Sequence, residues 1–369
     1  MTTPALEAAK PALAPAKPAL LVDAHAVGNS GLGRYTRELA CRLAARDDFR
    51  AVYIAGDPAE VSGWHPALRV LPFRHARHSP RVPWGWAAIE AEVAGPRVSW
   101  FPHWDGAWTA QPAVTTIHDL IHLAEPGVAG ALKGAVARAW IGRMVQGSRA
   151  LVAVSAHTAR AVEQAFPAAR GKLHVVPNGV AQAFFGAAPA GDAPVAGPYL
   201  LTVGNKRVHK RFDTAIRAFA QLAAERPTLQ LVMIGNRDAH TAELRRLAES
   251  LGVAARVHDV AALGDAALDR AYAGAEALLV TSRDEGFGLI AIEAMAAGCP
   301  VVAVDRGPFP EVIGDAGVLV PYDDPAAMAD ALRQLDRPAL IARGRARAAR
   351  YTWDAAADLL APILRAAAR

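Results

Sequence analysis

The sequence predicts an α/β protein built from two doubly wound parallel sheets, and three observations carry that expectation. Short apolar runs alternate with longer helical patterns along nearly the whole chain. The runs show no polar alternation, as strands buried on both faces should not. The alternation breaks once, at residues 185–198, where FGAAPAGDAPVAGP is small, rich in Pro and Gly and without periodicity.

In the first half the strand-like runs are residues 19–23, 51–54, 98–101, 113–117, 150–154 and 173–176. In the second half they are 199–203, 229–234, 256–260, 277–281, 301–304 and 317–320. Helical periodicity marks 33–45, 158–165, 212–224 and 241–251. The expected organisation is a leader at 1–18, a Rossmann-like domain at 19–184 and a linker at 185–198. A second Rossmann-like domain at 199–350 and a closing helix at 351–369 follow. The leader breaks its apolar content with Pro, Glu7, Lys10 and Lys17, so it reads as a flexible Ala/Pro segment rather than a signal peptide. Ligand sites in such sheets lie at the carboxyl ends of the strands, which makes the cleft between the domains the expected active site.

Composition narrows the class. At 369 residues and 53% hydrophobic, the chain is long and apolar enough to bury two cores without staples. Its two cysteines, Cys41 and Cys299, are far apart, which excludes a disulfide framework and a Cys-type zinc site and points to the cytoplasm. No apolar run approaches the ~20 residues of a membrane-spanning helix. The net charge of +5 leaves open a solvated basic surface or an anionic partner. That partner is a nucleic acid, a phosphorylated substrate or an anionic membrane.

The most informative stretch is Ser282-Arg-Asp-Glu-Gly-Phe-Gly-Leu-Ile-Ala-Ile-Glu-Ala-Met-Ala-Ala-Gly-Cys-Pro300. It follows a strand and opens a helix near Leu289. Gly286 and Gly288 allow close backbone approach, and free N–H groups there suit an anion. Glu285 and Glu293 offer two carboxylates along one ligand, as a sugar joined through a diphosphate to a ribose requires. The alternative is a plain strand–turn–helix unit with two solvated glutamates.

Glu285-Gly-Phe-Gly-Leu…Glu293-Ala-Met-Ala-Ala-Gly-Cys-Pro resembles the E-x7-E signature of family 4 retaining glycosyltransferases of the GT-B fold. Other segments resemble the family in the expected order: Gly31-Leu-Gly-Arg-Tyr, Ile117-His-Asp-Leu, Val154-Ser-Ala-His-Thr, Val176-Pro-Asn-Gly-Val, Thr202-Val-Gly-Asn, Arg306-Gly-Pro-Phe-Pro-Glu311 and Tyr351-Thr-Trp-Asp. The resemblance covers nearly the whole chain from Ala19 and implies an acceptor-binding first domain and a donor-binding second domain. It implies that Glu285 positions the donor hexose and that Glu293 holds the ribose. The backbone of Gly286, Phe287, Gly288, Leu289 and Ile290 would contact the diphosphate and sugar. Lys210 would bind phosphate, where a cation acts on charge that develops in the transition state. Gly33 belongs to the glycine loop, and His118 would hydrogen-bond the donor sugar. One position departs: where the family supplies an arginine after Gly204, this chain has Asn205, leaving Lys206 or Arg207 as substitutes. A solvated basic face is the alternative for Lys206, Arg207, Lys210 and Arg211.

His103, Asp105, Asp119, His122 and Glu125 have no regular metal-ligand spacing, and no Asp-x-Asp occurs, so transfer without metal or other cofactor is expected. Arg74, Arg77 and Arg81 beside Trp84 and Trp86 suggest an anionic membrane surface. The alternative is an ordinary ordered loop. No nucleic-acid module is recognisable. The expected reaction moves a hexose from a nucleotide sugar, GDP-mannose first and a UDP-hexose such as UDP-glucose second. The expected acceptor is a lipid-linked oligosaccharide or other glycan, by analogy with bacterial exopolysaccharide and lipopolysaccharide mannosyltransferases. The competing classes are another GT-B nucleotide-sugar enzyme and a non-catalytic nucleotide-sugar-binding protein.

Overall fold

The computed structural model describes residues 17–25, 27, 28, 31–75, 79, 81–106, 109–124 and 127–369. The expected leader lies outside them except for residues 17 and 18, as do Arg77 and Glu125.

Two wholly parallel sheets are present. The first contains β1 (Ala19–Ala24), β2 (Ala51–Gly56), β3 (Leu68–Pro72), β4 (Arg97–Phe101), β5 (Ala113–Ile117), β6 (Ala150–Ala153) and β7 (Leu173–Val175). Its order is β3-β2-β1-β4-β5-β6-β7. The second contains β8 (Tyr199–Val203), β9 (Gln230–Ile234), β10 (Val257–Val260), β11 (Ala277–Val280), β12 (Val301–Val304) and β13 (Val318–Val320). Its order is β10-β9-β8-β11-β12-β13. Every residue of β1, β5, β6, β8, β11 and β12 is buried, as apolar runs covered by helices on both faces must be. This is the two-domain GT-B architecture. Strand order reverses between β1 and β4 and again between β8 and β11, and crevices open at such points.

The helices of the first half are α1 (Gly31–Ala44), α2 (Pro58–Val61), α3 (Val82–Ala91), α4 (Gly127–Gly147) and α5 (Ala156–Ala165). Those of the second are α6 (Phe212–Ala223), α7 (Thr241–Ser250), α8 (Asp265–Gly274), α9 (Leu289–Ala296), α10 (Phe309–Val312), α11 (Pro325–Arg333) and α12 (Arg337–Ala348). The final helix, α13 (Trp353–Ala367), packs on α1, β4, β5 and β6 of the first half. Val180 N donates to Tyr351 O at 2.9 Å where the chain crosses back.

Two expectations need correction. Strand β3 was not foreseen: it is a half-exposed edge strand carrying Arg69, which lacks the continuous burial that marks its neighbours. Trp86 does not belong to a membrane-facing surface. Val82, Trp86, Ile89 and Val93 recur at helical spacing and are all buried, so they form the inner face of α3 and its continuation. The Trp86 indole N–H donates to Glu90 Oε1 at 3.1 Å and Ser99 Oγ at 3.3 Å inside the core. Trp84, on the opposite face, is 74% exposed. Arg81 is exposed, and Arg74 pairs with Asp57 at 3.1 Å.

Candidate active site

The loops after β5 and β11 meet across the crevice between the sheets, with the loops after β4 and β8 tied to them. The closest approach is backbone on backbone. A Cβ on Gly286 would stand 1.8 Å from the carbonyl oxygen of His118, so only glycine permits this contact. Ser155 Oγ and Thr158 Oγ1 donate to Gly286 O at 2.6 and 3.0 Å. Glu311 reaches across from the second domain and accepts from Ala156 N at 2.9 Å and His157 N at 3.1 Å, at the first turn of α5. These N–H groups have no partner within their own helix.

In the second domain, Lys210 Nζ lies 2.5 Å from Glu285 Oε1, and Ser282 Oγ donates to the same oxygen at 2.8 Å. Thr281 Oγ1 donates to Lys210 O at 2.8 Å, and Arg283 N donates to His209 O at 2.7 Å. The β8–α6 and β11–α9 connections are therefore tied together by backbone and side chain. Gly288 caps α9 with φ +89°, a left-handed conformation that favours glycine. Leu289 and Ile290 follow in the first turn, whose N–H groups have no partner within the helix. The Phe287 ring points into the core against Tyr351, with centroids 5.5 Å apart, leaving only its backbone for a ligand.

Glu293 lies deeper, 3% exposed on α9. Arg34 of α1 hydrogen-bonds it from the other domain and also reaches Asp265 at the start of α8. Tyr272 OH donates to Glu293 Oε2 at 3.3 Å. Burial pushes the Glu293 carboxyl up to about 7; the Arg34 guanidinium opposes the shift and the Asp265 charge adds to it.

His118 follows β5 directly. Its Nε2 donates to Pro102 O at 2.8 Å, which leaves Nδ1 as the acceptor of a neutral ring. The edge of Tyr35 packs on it with centroids 4.6 Å apart. Burial, with His103 close by, pulls the His118 pKa down to about 4. His103 stacks on His118 at 6.1 Å between centroids, and its Nδ1 meets the buried carboxylate of Asp105 at 2.5 Å. Among the described residues no three His, Cys, Asp or Glu side chains are grouped as metal ligands.

The structure thus brings His118, Lys210, Glu285, Gly286, Gly288 and Glu293 to one crevice, with Gly33 buried in the first turn of α1. Asn205 and Arg207 are exposed. Lys206 is corrected: it is fully buried, and its Nζ donates to Gly235 O at 2.6 Å and Val260 O at 3.3 Å and pairs with Asp259 at 2.8 Å. It anchors the ends of β9 and β10 and is not free to substitute for a phosphate-binding arginine. Arg34, Asp265, Tyr272, Glu311 and the His103–Asp105 pair were not foreseen. Only the Gly-Arg-Tyr sequence after the glycine loop pointed at Arg34; its partners lie more than 230 residues away.

Two facing doubly wound domains with this set of crevice residues define a GT-B glycosyltransferase. Family models agree on both halves: Glycosyltransferase Family 4 matches residues 29–184, and Glycosyl transferases group 1 matches residues 189–341. The chain belongs to the family 4 glycosyltransferases. It is 30% identical to the D-inositol 3-phosphate glycosyltransferase of Streptomyces avermitilis, over 91% of this chain and 83% of that one. The enzyme of the same name from Streptomyces coelicolor is 29% identical, over 91% and 87%. In structure the chain is similar to sucrose-phosphate synthase from Thermosynechococcus elongatus (TM-score 0.76, 22% identity, 95% of this chain and 99% of that one). It is also similar to HepE from Anabaena in complex with UDP-glucose (TM-score 0.70, 18% identity, 94% and 99%). These relatives do not carry a mannosyltransferase name.

Proposed function

We propose that this glycosyltransferase takes a hexose from a nucleotide sugar and transfers it, with retention and without metal, to a hydroxyl acceptor. The acceptor is a lipid-linked or other glycan. The observation that carries the reading is the Lys210–Glu285 pair beside the first turn of α9, with His118 of the facing domain opposite. Glu285 accepts hydroxyls of the sugar, Lys210 meets the departing diphosphate, and Glu293 accepts ribose hydroxyls. His118, held neutral, offers Nδ1 to a sugar hydroxyl. As the anomeric C–O bond to the diphosphate breaks, the acceptor oxygen bonds on the same face. The acceptor proton passes to the departing phosphate oxygen. The described site offers no side chain assigned as a covalent nucleophile in this scheme; trapping a glycosyl adduct on a carboxylate overturns it.

UDP-glucose stands ahead of GDP-mannose as donor, because HepE shares the fold and is solved with that sugar nucleotide. A thermal-shift panel of UDP- and GDP-sugars tests this. A ligand at ~100 times its Kd stabilises by about 2.7 kcal/mol. Stabilisation by GDP-mannose alone reverses the order, and stabilisation by none of them removes the nucleotide-sugar reading.

Peripheral attachment to the inner face of the plasma membrane extends the proposal. Trp84 on α3 is 74% exposed, and on α4 Leu132 and Val136, one turn apart, are 69% and 58% exposed, large apolar side chains of the kind such attachment uses. No helix among the described residues is long and apolar enough to cross a membrane. Co-sedimentation with anionic vesicles, lost in Trp84→Ser with Leu132→Ser, is the expected result; absence of wild-type binding overturns attachment.

A further inference from the structure

A nucleoside diphosphate in this crevice needs more positive charge than Lys210 provides, and the cations of the second domain are largely committed. Asn205 stands where an arginine would be expected, and Lys206 is buried on strand-end acceptors. Arg211, next to Lys210, is held by Asp213, Asp323 and Tyr322. Arg283 is paired with Asp284, and Arg306 donates to Arg283 O. Arg34 is different. It projects from the glycine-loop end of α1, across the crevice, and spends its guanidinium on Glu293 and Asp265 of the opposite domain.

We infer that Arg34, supplied by the first domain, is the diphosphate-binding cation that replaces the arginine missing at Asn205, and that Glu293 parks it until the donor arrives. The inference rests on the proposed nucleotide-sugar reading, in which Glu293 receives the ribose.

The geometry makes the exchange self-consistent. A buried carboxylate requires donors. Arg34 and Tyr272 provide them in this structure, and in the inference ribose hydroxyls take the place of Arg34 beside Tyr272. Ribose and diphosphate are joined through a single 5′ carbon, so a guanidinium displaced from the ribose-binding carboxylate is left beside the diphosphate. The planar fork of arginine then suits two phosphate oxygens at once, which a lysine cannot match. Because Arg34 belongs to the first domain, charge on the leaving group also draws the two domains together. Domain closure and leaving-group stabilisation become one event.

The test compares diphosphates with nucleosides. UDP, GDP, uridine and guanosine are titrated by calorimetry and ligand-observed NMR into wild type, Arg34→Ala, Arg34→Lys and Arg34→Gln. Circular dichroism and melting confirm that each variant is folded, and Arg34→Gln keeps bulk at the site if alanine does not fold. The inference expects Arg34→Ala and Arg34→Gln to weaken the diphosphate at least about tenfold. Nucleoside binding is kept or tightened, because Glu293 is released, and Arg34→Lys recovers part of the diphosphate affinity. Unchanged diphosphate affinity overturns the inference and passes the role to Arg207. Tighter binding of both ligand types overturns it as well, leaving Arg34 a latch alone, and equal loss of both makes its role structural. Failure of wild type to bind UDP or GDP takes down the nucleotide-sugar reading, and the inference with it.

Discussion

Lys210 and Glu285, 75 residues apart, meet at 2.5 Å where the two loops of the donor-side switch point converge. Both side chains are shielded, 19% and 14% exposed, so removing either leaves the other charge partly buried and unpaired. Lys210→Met is expected to lower transfer by about 100- to 1,000-fold, the scale of removing one group that stabilises transition-state charge. Glu285→Ala nearly abolishes it. Product formation measured by sugar-nucleotide turnover is the check, and near-wild-type rates in either variant remove the pair from the chemistry.

The carboxyl of Glu293 is pushed up to about 7 by its burial. Below that pH it holds its proton and loses acceptor capacity, so nucleotide affinity is expected to rise as pH increases through about 7. The same shift acts on folding with the opposite trend. The folded state binds the proton more tightly than the unfolded one, so this group makes stability fall as pH rises from about 4.5 to about 7. Glu293→Gln should flatten both profiles, read by calorimetric Kd and by Tm across pH; a variant with an unaltered pH dependence rules out this titration.

His118 acts in the other direction. Its pKa lies near 4 in the folded protein, below the ordinary value of 6.5, so between these values the unfolded chain binds more protons. Stability from this group is complete above about pH 6.5 and declines as pH falls toward 4. The Tm of His118→Asn should depend less on pH over that window than the wild-type Tm does. Parallel curves would show that the ring ionises normally.

The sequence revealed the two sheets because their central strands are buried on both faces and read as uninterrupted Val, Ile, Leu and Ala. It concealed β3, an edge strand that is only partly buried and carries Arg69, and so lacks the uninterrupted apolar run. Trp86 belongs to the helical spacing of Val82, Trp86, Ile89 and Val93, which marks a buried face even though the neighbouring arginines resemble a basic surface. In the site, residues that lie close together along the chain, such as Glu285 through Glu293, were legible as a unit. Arg34 and Glu311 were not, because their roles depend on the opposite domain. Lys206 shows the converse: a lysine in a phosphate-like loop can be consumed by carbonyls at neighbouring strand ends.

Gly286 is expected to tolerate no side chain. A Cβ would stand 1.8 Å from His118 O, and the obstruction is backbone, which cannot rotate away. Gly286→Ala should therefore hold the domains apart at the reaction centre while leaving each sheet intact. The expected outcome is a loss of transfer of about 100-fold, as misplacement by an ångström can cause, with unchanged secondary structure by circular dichroism. Full activity in Gly286→Ala would mean that the working enzyme does not make this contact.

Glu311 holds the far side of the same seam through the N–H groups of Ala156 and His157. A carboxylate at a helix N-terminus gains from both hydrogen bonds and the helix dipole, and losing such a cap costs about 0.5–2 kcal/mol. Ser155 continues to cap Thr158 N at 3.0 Å, so α5 itself should survive in Glu311→Ala. The loss falls instead on the junction between domains. For a chain of this size each kcal/mol lowers Tm by roughly 2–4 °C. The variant should also show a larger radius of gyration in solution scattering and a reduced kcat. A Glu311→Ala protein with wild-type Tm, dimensions and kcat would show that α5 needs no partner from the second domain.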